Sequence, residues 1–127
     1  MQGSLEADLA ALRKLRDDDE SGAIKENFGD GEDPREWKYV TIDDGRVTKL
    51  DLSRLPSLTE LPAAIGELSA LTELNLRGCS SLTALPATIG ELKALTRLSL
   101  SFCLSLVELP AAIGELKALT QLNLNGC

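Results

Sequence analysis

With 127 residues the chain is one domain by length, and leucine and isoleucine must build its core because only four side chains are aromatic. Its net charge of −7 is concentrated in residues 1–46, which carry −6, whereas residues 47–127 carry −1. The second part therefore lacks the basic surface that nucleic-acid backbones require, and no run of eighteen apolar residues could span a membrane, so we expect neither as a partner.

The first predicted element is an amphipathic helix over residues 5–16, where leucines recur at intervals of four and three residues. Ser4 is the predicted N-cap, and basic residues near the other end suit the helix dipole. Residues 17–36 follow as an acidic loop rich in glycine, aspartate and glutamate. The acidic run at residues 17–20 is either a solvated helix exit or a site for a cation or a basic partner.

A β-hairpin is predicted next, with strands over residues 37–42 and 46–52 joined by Asp-Gly at 44–45. Trp37 has two interpretations, as an apolar plug that closes the end of the following repeats or as a binding residue. With the helix and the loop, this hairpin places an N-terminal cap at residues 1–46.

From Val47 onward the sequence repeats every 24 residues, which is typical of a stacked-repeat architecture. Within each copy, leucines such as Leu74 and Leu76 point inward from a short strand, and the residues between them point outward. A proline such as Pro86 can then open a single helical or 3₁₀ turn, and Gly90 comes too soon for a long helix. The copies are 47–70, 71–94, 95–118 and an incomplete 119–127.

These copies resemble leucine-rich repeats. Gly-Cys-Ser-Ser-Leu at residues 78–82 and Leu-Pro-x-x-Ile-Gly at 85–90 are similar to repeats of plant intracellular, nucleotide-binding immune receptors. The resemblance covers residues 47–127. It implies an α/β solenoid with parallel strands on a concave side, short 3₁₀ or irregular returns on a convex side, and an N-terminal helix plus hairpin cap.

Residues 37–52 also resemble the N-terminal cap of plant-type repeat proteins, with two departures. Tyr39 stands where that cap usually has glycine, and Ile42 where it usually has cysteine. The disulfide of such caps is therefore absent. Together with the lack of a signal-peptide pattern and of a glycosylation sequon, this favours a reducing setting, and we expect a cytoplasmic protein.

The resemblance implies that the concave strand face binds another protein, whose identity the residues do not give. Lys49, Glu73 and Arg97 have a second interpretation, because their alternating charges could pair across neighbouring strands. Phe102 is either an aromatic contact anchor or a side chain that packs over the loop of the next copy. The predicted contacts are Lys49, Asp51, Glu73, Asn75, Arg77, Arg97, Ser99, Phe102, Gln121 and Asn123.

Cys79, Cys103 and Cys127 recur every 24 residues and should form a column with one sulfur per repeat. A straight column does not provide tetrahedral metal ligands, and the chain contains no histidine, so we expect no metal, cofactor or catalytic site. We expect the first two thiols to be buried and Cys127 to be exposed and oxidisable.

The incomplete fourth copy raises a second functional hypothesis. An uncapped repeat exposes an apolar face and a free strand edge, both of which favour association. The chain is then either a piece of a longer or designed array, or it forms a homodimer through its last strand. The predicted self-association residues are Leu119, Leu122, Leu124 and Cys127.

Overall fold

A computed structural model of the chain describes residues 4–28 and 33–127. Two α-helices come first, α1 (Leu5–Asp18) and α2 (Ala23–Phe28). The strands are β1 (Val40–Asp43), β2 (Arg46–Asp51), β3 (Glu73–Asn75), β4 (Arg97–Ser99) and β5 (Gln121–Asn123). Short 3₁₀ helices lie at Pro34–Glu36, Ala63–Glu67, Ala87–Glu91 and Ala111–Glu115; the last three are called the return helices.

The strands form one sheet in chain order. β1 and β2 are the antiparallel hairpin, and β2 to β5 pair in parallel. The parallel register equals one repeat, so that Leu50, Leu74, Leu98 and Leu122 lie side by side. Inward leucines of successive copies therefore form one continuous apolar core, which the repeat predicted. No helix in the described ranges is long and apolar enough to cross a membrane.

An ion pair with a buried carboxylate joins helix α1 to the start of the repeats. Asp8 on α1 is 1% exposed, and its carboxylate accepts hydrogen bonds from Arg46 Nε at 2.7 Å, from Arg46 Nη2 at 3.0 Å and from the backbone N–H of Val47 at 3.0 Å. Trp37 is buried and stacks on Phe28, with ring centroids 4.6 Å apart. The tryptophan therefore packs inside the cap rather than on an open surface.

The structure corrects three boundaries in this cap. Helix α1 runs two residues beyond the predicted end at residue 16. The loop predicted over residues 17–36 is wrong at α2, which forms because the buried carboxylate of Asp19 accepts from the backbone N–H of Ile24 at 2.9 Å. Residues 29–32 of that loop lie outside the described part. The first strand begins at Val40 because Tyr39 has a φ of 73°.

On the side of the chain away from the strands, close stacking of the return helices requires glycine. A Cβ placed on Gly66 would lie 2.7 Å from both the Cβ and the carbonyl oxygen of Thr88 in the next repeat. At Gly90 the corresponding distances to Ala112 are 3.0 Å, and at Gly114 no described atom lies within 4 Å. The space around each of these glycines therefore shows how closely its repeat is covered by the next repeat.

Gly66→Ala is therefore expected to lower the free energy of unfolding by about 1–3 kcal/mol, because the backbone of Thr88 must move. Gly90→Ala should lower the free energy of unfolding by less, because its contacts with Ala112 are longer. Gly114→Ala is the matched control, and it should leave stability unchanged or raise it slightly, since alanine restricts the unfolded chain. Urea unfolding of the three variants measures the order. Equal losses at Gly66 and Gly114 would contradict the contact.

Candidate functional site

The candidate site is the outward side of β2 to β5 together with the residues that follow each strand, here called the sheet face. In each repeat four positions contribute to it. They are Lys49, Asp51, Ser53 and Arg54; Glu73, Asn75, Arg77 and Gly78; Arg97, Ser99, Ser101 and Phe102; and Gln121, Asn123, Asn125 and Gly126.

The first column of the sheet face contains the alternating charges. Lys49 Nζ lies 3.2 Å from a carboxylate oxygen of Glu73, so the cross-strand pair occurs there. Arg97 is exposed, and it forms no ion pair with any residue in the described part of the chain. Two of the three charged residues, Lys49 and Glu73, therefore pair across neighbouring strands, and the Arg97 guanidinium remains accessible.

The second column shapes the turns that follow the strands. Asp51, Asn75 and Asn123 each use Oδ1 to accept from the backbone N–H two residues later, at 2.9–3.0 Å. Short polar side chains commonly stabilise turns in this way. Ser99 is different, because its hydroxyl lies 3.5 Å from the hydroxyl of the buried Ser101. Three of the predicted contacts therefore have a structural task besides any contact with a ligand.

The last column, called the rim column, has a left-handed backbone in every repeat. φ is 61° at Arg54, 76° at Gly78, 61° at Phe102 and 79° at Gly126. A side chain in this conformation costs roughly 1–2 kcal/mol relative to glycine. Arg54 and Phe102 thus occupy positions where the other two copies have the favoured residue, and strained positions of this kind cluster at functional sites.

Phe102 packs over the next copy, as one of its two interpretations predicted, and part of its ring also remains accessible. Its ring covers the next repeat, because a Cβ on Gly126 would lie 2.6 Å from Phe102 Cδ1. The side chain nevertheless remains 46% exposed. The guanidinium carbon of Arg77 lies 5.2 Å from the ring centroid, within the range of a cation–π contact. The aromatic ring therefore packs on one repeat and holds an arginine of the preceding one.

A cleft of about 470 Å³ lies at the N-terminal end of the sheet face and is called the arginine cleft. Tyr39, 52% exposed, stands at its edge. The backbone N–H of Arg54 donates to the carbonyl oxygen of Arg77 at 2.6 Å, which keeps the two arginines of the cleft in adjacent repeats. Its lining residues are Asn27, Tyr39, Asp51, Ser53, Arg54, Asn75 and Arg77.

Two further depressions gather most of the remaining predicted contacts. One of about 290 Å³ is lined by Lys49, Asp51, Glu73 and Asn75 among other residues. The other, of about 620 Å³ at the C-terminal end, is lined among others by Glu73, Asn75, Arg97, Ser99, Gln121 and Asn123. Phe102 lines none of these clefts and stands at the edge of the face. The structure thus brings the predicted contacts onto one surface.

Sequence reasoning did not select Arg54, Tyr39 or Asn27 as site residues. The first two carried a signal, because Arg54 stands where two other copies have glycine, Tyr39 stands where plant-type caps usually have glycine, and both have positive φ. Asn27 carried none, since it belongs to the unpredicted helix α2. Its side-chain amide donates to the carbonyl oxygen of Asp51 at 3.2 Å, which joins the cap to this end of the sheet face.

The three cysteines form the expected column. The thiols of Cys79, Cys103 and Cys127 donate to the carbonyl oxygens of Leu52, Leu76 and Leu100 at 3.2, 3.1 and 3.0 Å. Cys79 and Cys103 are buried, and Cys127 is exposed. Burial raises the pKa of the Cys79 thiol and raises the pKa of Cys103 to about 11. These two thiols are therefore poor nucleophiles near neutral pH.

Iodoacetamide at pH 8 is accordingly expected to alkylate Cys127 rapidly, and Cys79 and Cys103 only when the protein unfolds. Mass spectrometry of labelled peptides over time measures the order in which the three thiols react. Equal rates for all three thiols in the folded protein would contradict the burial of Cys79 and Cys103.

The pKa of Cys103 is raised on folding. The stability that this thiol contributes is therefore complete below pH 9 and is lost as pH rises from about 9 towards 11.

Comparisons with known proteins agree with this architecture. No protein-family model matches the chain, and no curated protein matches it significantly. A plant ice-binding protein of known structure is 28% identical over 93% of this chain, with a TM-score of 0.77. A leucine-rich repeat protein of Leptospira interrogans is 41% identical over 54% of the chain, with a TM-score of 0.49. The leucine-rich repeat ectodomain of an Arabidopsis thaliana receptor kinase is 21% identical over 95%, with a TM-score of 0.41.

The chain spans 39% of the ice-binding structure and 17% of the Leptospira structure. The similarity to the receptor-kinase ectodomain covers 93% of that protein. The parallel strands in one-repeat register and the 3₁₀ returns establish an α/β leucine-rich repeat solenoid, and the predicted fold class is confirmed. Among these structures the plant ice-binding protein, with its TM-score of 0.77, supports the fold, while this chain's own surface must support its function.

Proposed function

We propose that the chain is a non-catalytic protein-interaction module that binds a polypeptide partner on its sheet face. The observation that supports this most directly is the exposed pair of Arg77 and Phe102, with the guanidinium carbon 5.2 Å from the ring centroid. Arginine and aromatic side chains dominate the binding energy of protein interfaces. Phe102 is retained there although a left-handed backbone favours glycine.

The same proposal assigns the solenoid no chemistry of its own. The sequence contains no histidine that could act as a base. The raised pKa values of Cys79 and Cys103 also disfavour the thiolate form of both buried thiols. A reducing compartment such as the cytoplasm suits the three free cysteines of the column.

The test compares affinity capture from a cell lysate by the wild-type chain, by Phe102→Ala and by Arg97→Glu, with quantitative mass spectrometry. The captured amount of each protein that binds the sheet face should decrease about tenfold or more with either variant, as expected when an interface anchor is removed. Lys93→Glu reverses a charge on a return-side position and should retain them. Circular dichroism checks that the variants are folded. Unchanged capture by both sheet-face variants would contradict the proposal.

A second candidate function is self-association through β5, and specific side chains favour it. Leu122 is 37% exposed and lies in β5, whose outer edge is unpaired among the described residues, and Leu124, which directly follows β5, is 40% exposed. Leu119 and Cys127 complete the surface. Light scattering over a micromolar concentration series should then show a dimer that Leu122→Lys disrupts, since lysine on a strand edge opposes pairing. A monomer at the highest concentration would contradict this candidate.

Ice binding, the property named for the plant structure, is not proposed for this chain. A crystal surface is periodic, so a protein face that matches it must repeat one side chain at a fixed spacing. The first column of the sheet face instead reads Lys49, Glu73, Arg97 and Gln121. A face with such varied charges suits an irregular polypeptide partner better than a lattice.

A further inference from the structure

The charge of the sheet face is opposite to that of the chain. Among its members four are cationic, Lys49, Arg54, Arg77 and Arg97, and two are carboxylates, Asp51 and Glu73. The face therefore carries +2 in a chain whose net charge is −7. An electrostatic contrast of this kind orients an oppositely charged partner on encounter and disfavours its binding elsewhere.

Three of these cations are available to a ligand. Arg54, Arg77 and Arg97 are exposed, and none forms an ion pair with residues 4–28 or 33–127. Lys49 is already paired with Glu73. The free positive charge is thus concentrated on arginines, whose planar guanidinium groups bind carboxylates through two parallel hydrogen bonds.

The guanidinium of Arg77 and the stem of Arg54 also have fixed contacts before any ligand arrives. The exposed ring of Phe102 supports the guanidinium of Arg77, and Arg54 Cγ would lie 3.6 Å from a Cβ on Gly78, so its side chain leans over the next repeat. Both residues line the arginine cleft. Positioning them in advance lowers the conformational entropy that binding would otherwise cost.

We infer, resting on the proposed function, that the arginine cleft receives a carboxylate side chain of an extended acidic polypeptide segment. The guanidinium groups of Arg54 and Arg77 bind that carboxylate, and an adjacent apolar residue of the segment packs on the exposed ring of Phe102. The charged side chains that line the cleft are Arg54, Arg77 and Asp51, and their charges sum to +1, which one carboxylate balances and a doubly charged phosphate exceeds. The partner is therefore acidic through aspartate or glutamate rather than through phosphorylation.

The experiment selects binders from a random dodecapeptide library displayed on phage, using the full chain as bait. Enriched peptides are expected to carry aspartate or glutamate next to an apolar residue. A synthetic enriched peptide, followed by fluorescence anisotropy, should lose about tenfold or more in affinity with the double variant Arg54→Gln/Arg77→Gln. The matched control Lys93→Gln/Lys117→Gln makes the same charge change on the return side and should bind within about twofold of wild type.

The outcomes separate this inference from the proposed function. Enrichment of neutral or basic peptides, or equal affinity in both double variants, would overturn the acidic partner while leaving a peptide-binding module. Tighter binding of a phosphoserine version of the peptide would also overturn it. If no peptide is enriched, the proposed function fails as well. Glutamine at position 54 keeps a side chain on the left-handed backbone, and circular dichroism confirms that both double variants remain folded.

Discussion

Asp8→Ala is expected to lower the free energy of unfolding by about 3–5 kcal/mol, because it removes the carboxylate that pairs with the partly buried Arg46 guanidinium and leaves the buried N–H of Val47 without its acceptor. The Asp8 side chain is 1% exposed, and its bonds from Arg46 and Val47 span 38 and 39 residues of sequence. The midpoint of thermal unfolding should fall by about 10 °C or more. Differential scanning calorimetry measures both quantities.

Asp17→Ala is the matched control, since it removes the same side chain from the same helix. The Asp17 carboxylate is 60% exposed, and it pairs with Arg16 at 2.8 Å. Such exposed pairs contribute little to stability, so the control should stay close to wild type. Asp8→Asn keeps the shape and one acceptor, and it should fall between the two. If the free energy of unfolding of Asp8→Ala lies within about 1 kcal/mol of the wild-type value, the ion pair does not hold the cap.

Leu74→Ala should lower the free energy of unfolding by about 2–5 kcal/mol, because it removes a fully buried side chain and leaves a cavity between two repeats. Leu74 and Leu98 are each 1% exposed and lie side by side in register. Leu122 continues the same column at 37% exposure. Leu98→Ala should therefore match Leu74→Ala, and Leu122→Ala should cost roughly half as much or less.

Urea unfolding followed by circular dichroism gives the three free energies under one set of conditions. The fluorescence of Trp37, buried in the cap, reports whether cap and repeats unfold together. Coinciding transitions are expected if the apolar core is continuous. Equal losses of stability at all three leucines would mean that the cost of removing a leucine side chain does not follow its exposure in the structure.

The repeats could be predicted from the sequence because their cause is local and periodic. A leucine that recurs every 24 residues fixes strand register, return length and the direction of each side chain together. Residues such as Glu73 and Arg97 were therefore placed on one face from spacing alone, and the structure aligns them. Their role as contacts remains a prediction.

The cap was less predictable, because its determinants are distant in sequence. Asp8 sits in the first turn of α1, where a carboxylate already suits the helix dipole, and nothing nearby indicates a bond to Arg46. Helix α2 was missed for a related reason. It has only six residues, and the buried side chain of Asp19 caps it. Short helices that depend on side-chain capping bonds, here from Ser21 and Asp19, leave no periodic signal.

The rim column constrains how this protein can change its number of repeats. The ring of Phe102 occupies the space that a Cβ on Gly126 would need, whereas a Cβ on Gly78 would be in ordinary contact with Arg54 at 3.6 Å. A side chain in the copy that follows a phenylalanine would therefore collide with its ring. Duplicating a single copy that carries phenylalanine would create that collision, whereas duplicating copies in pairs would preserve the alternation. Along this edge, a copy that carries phenylalanine therefore needs a copy that carries glycine after it.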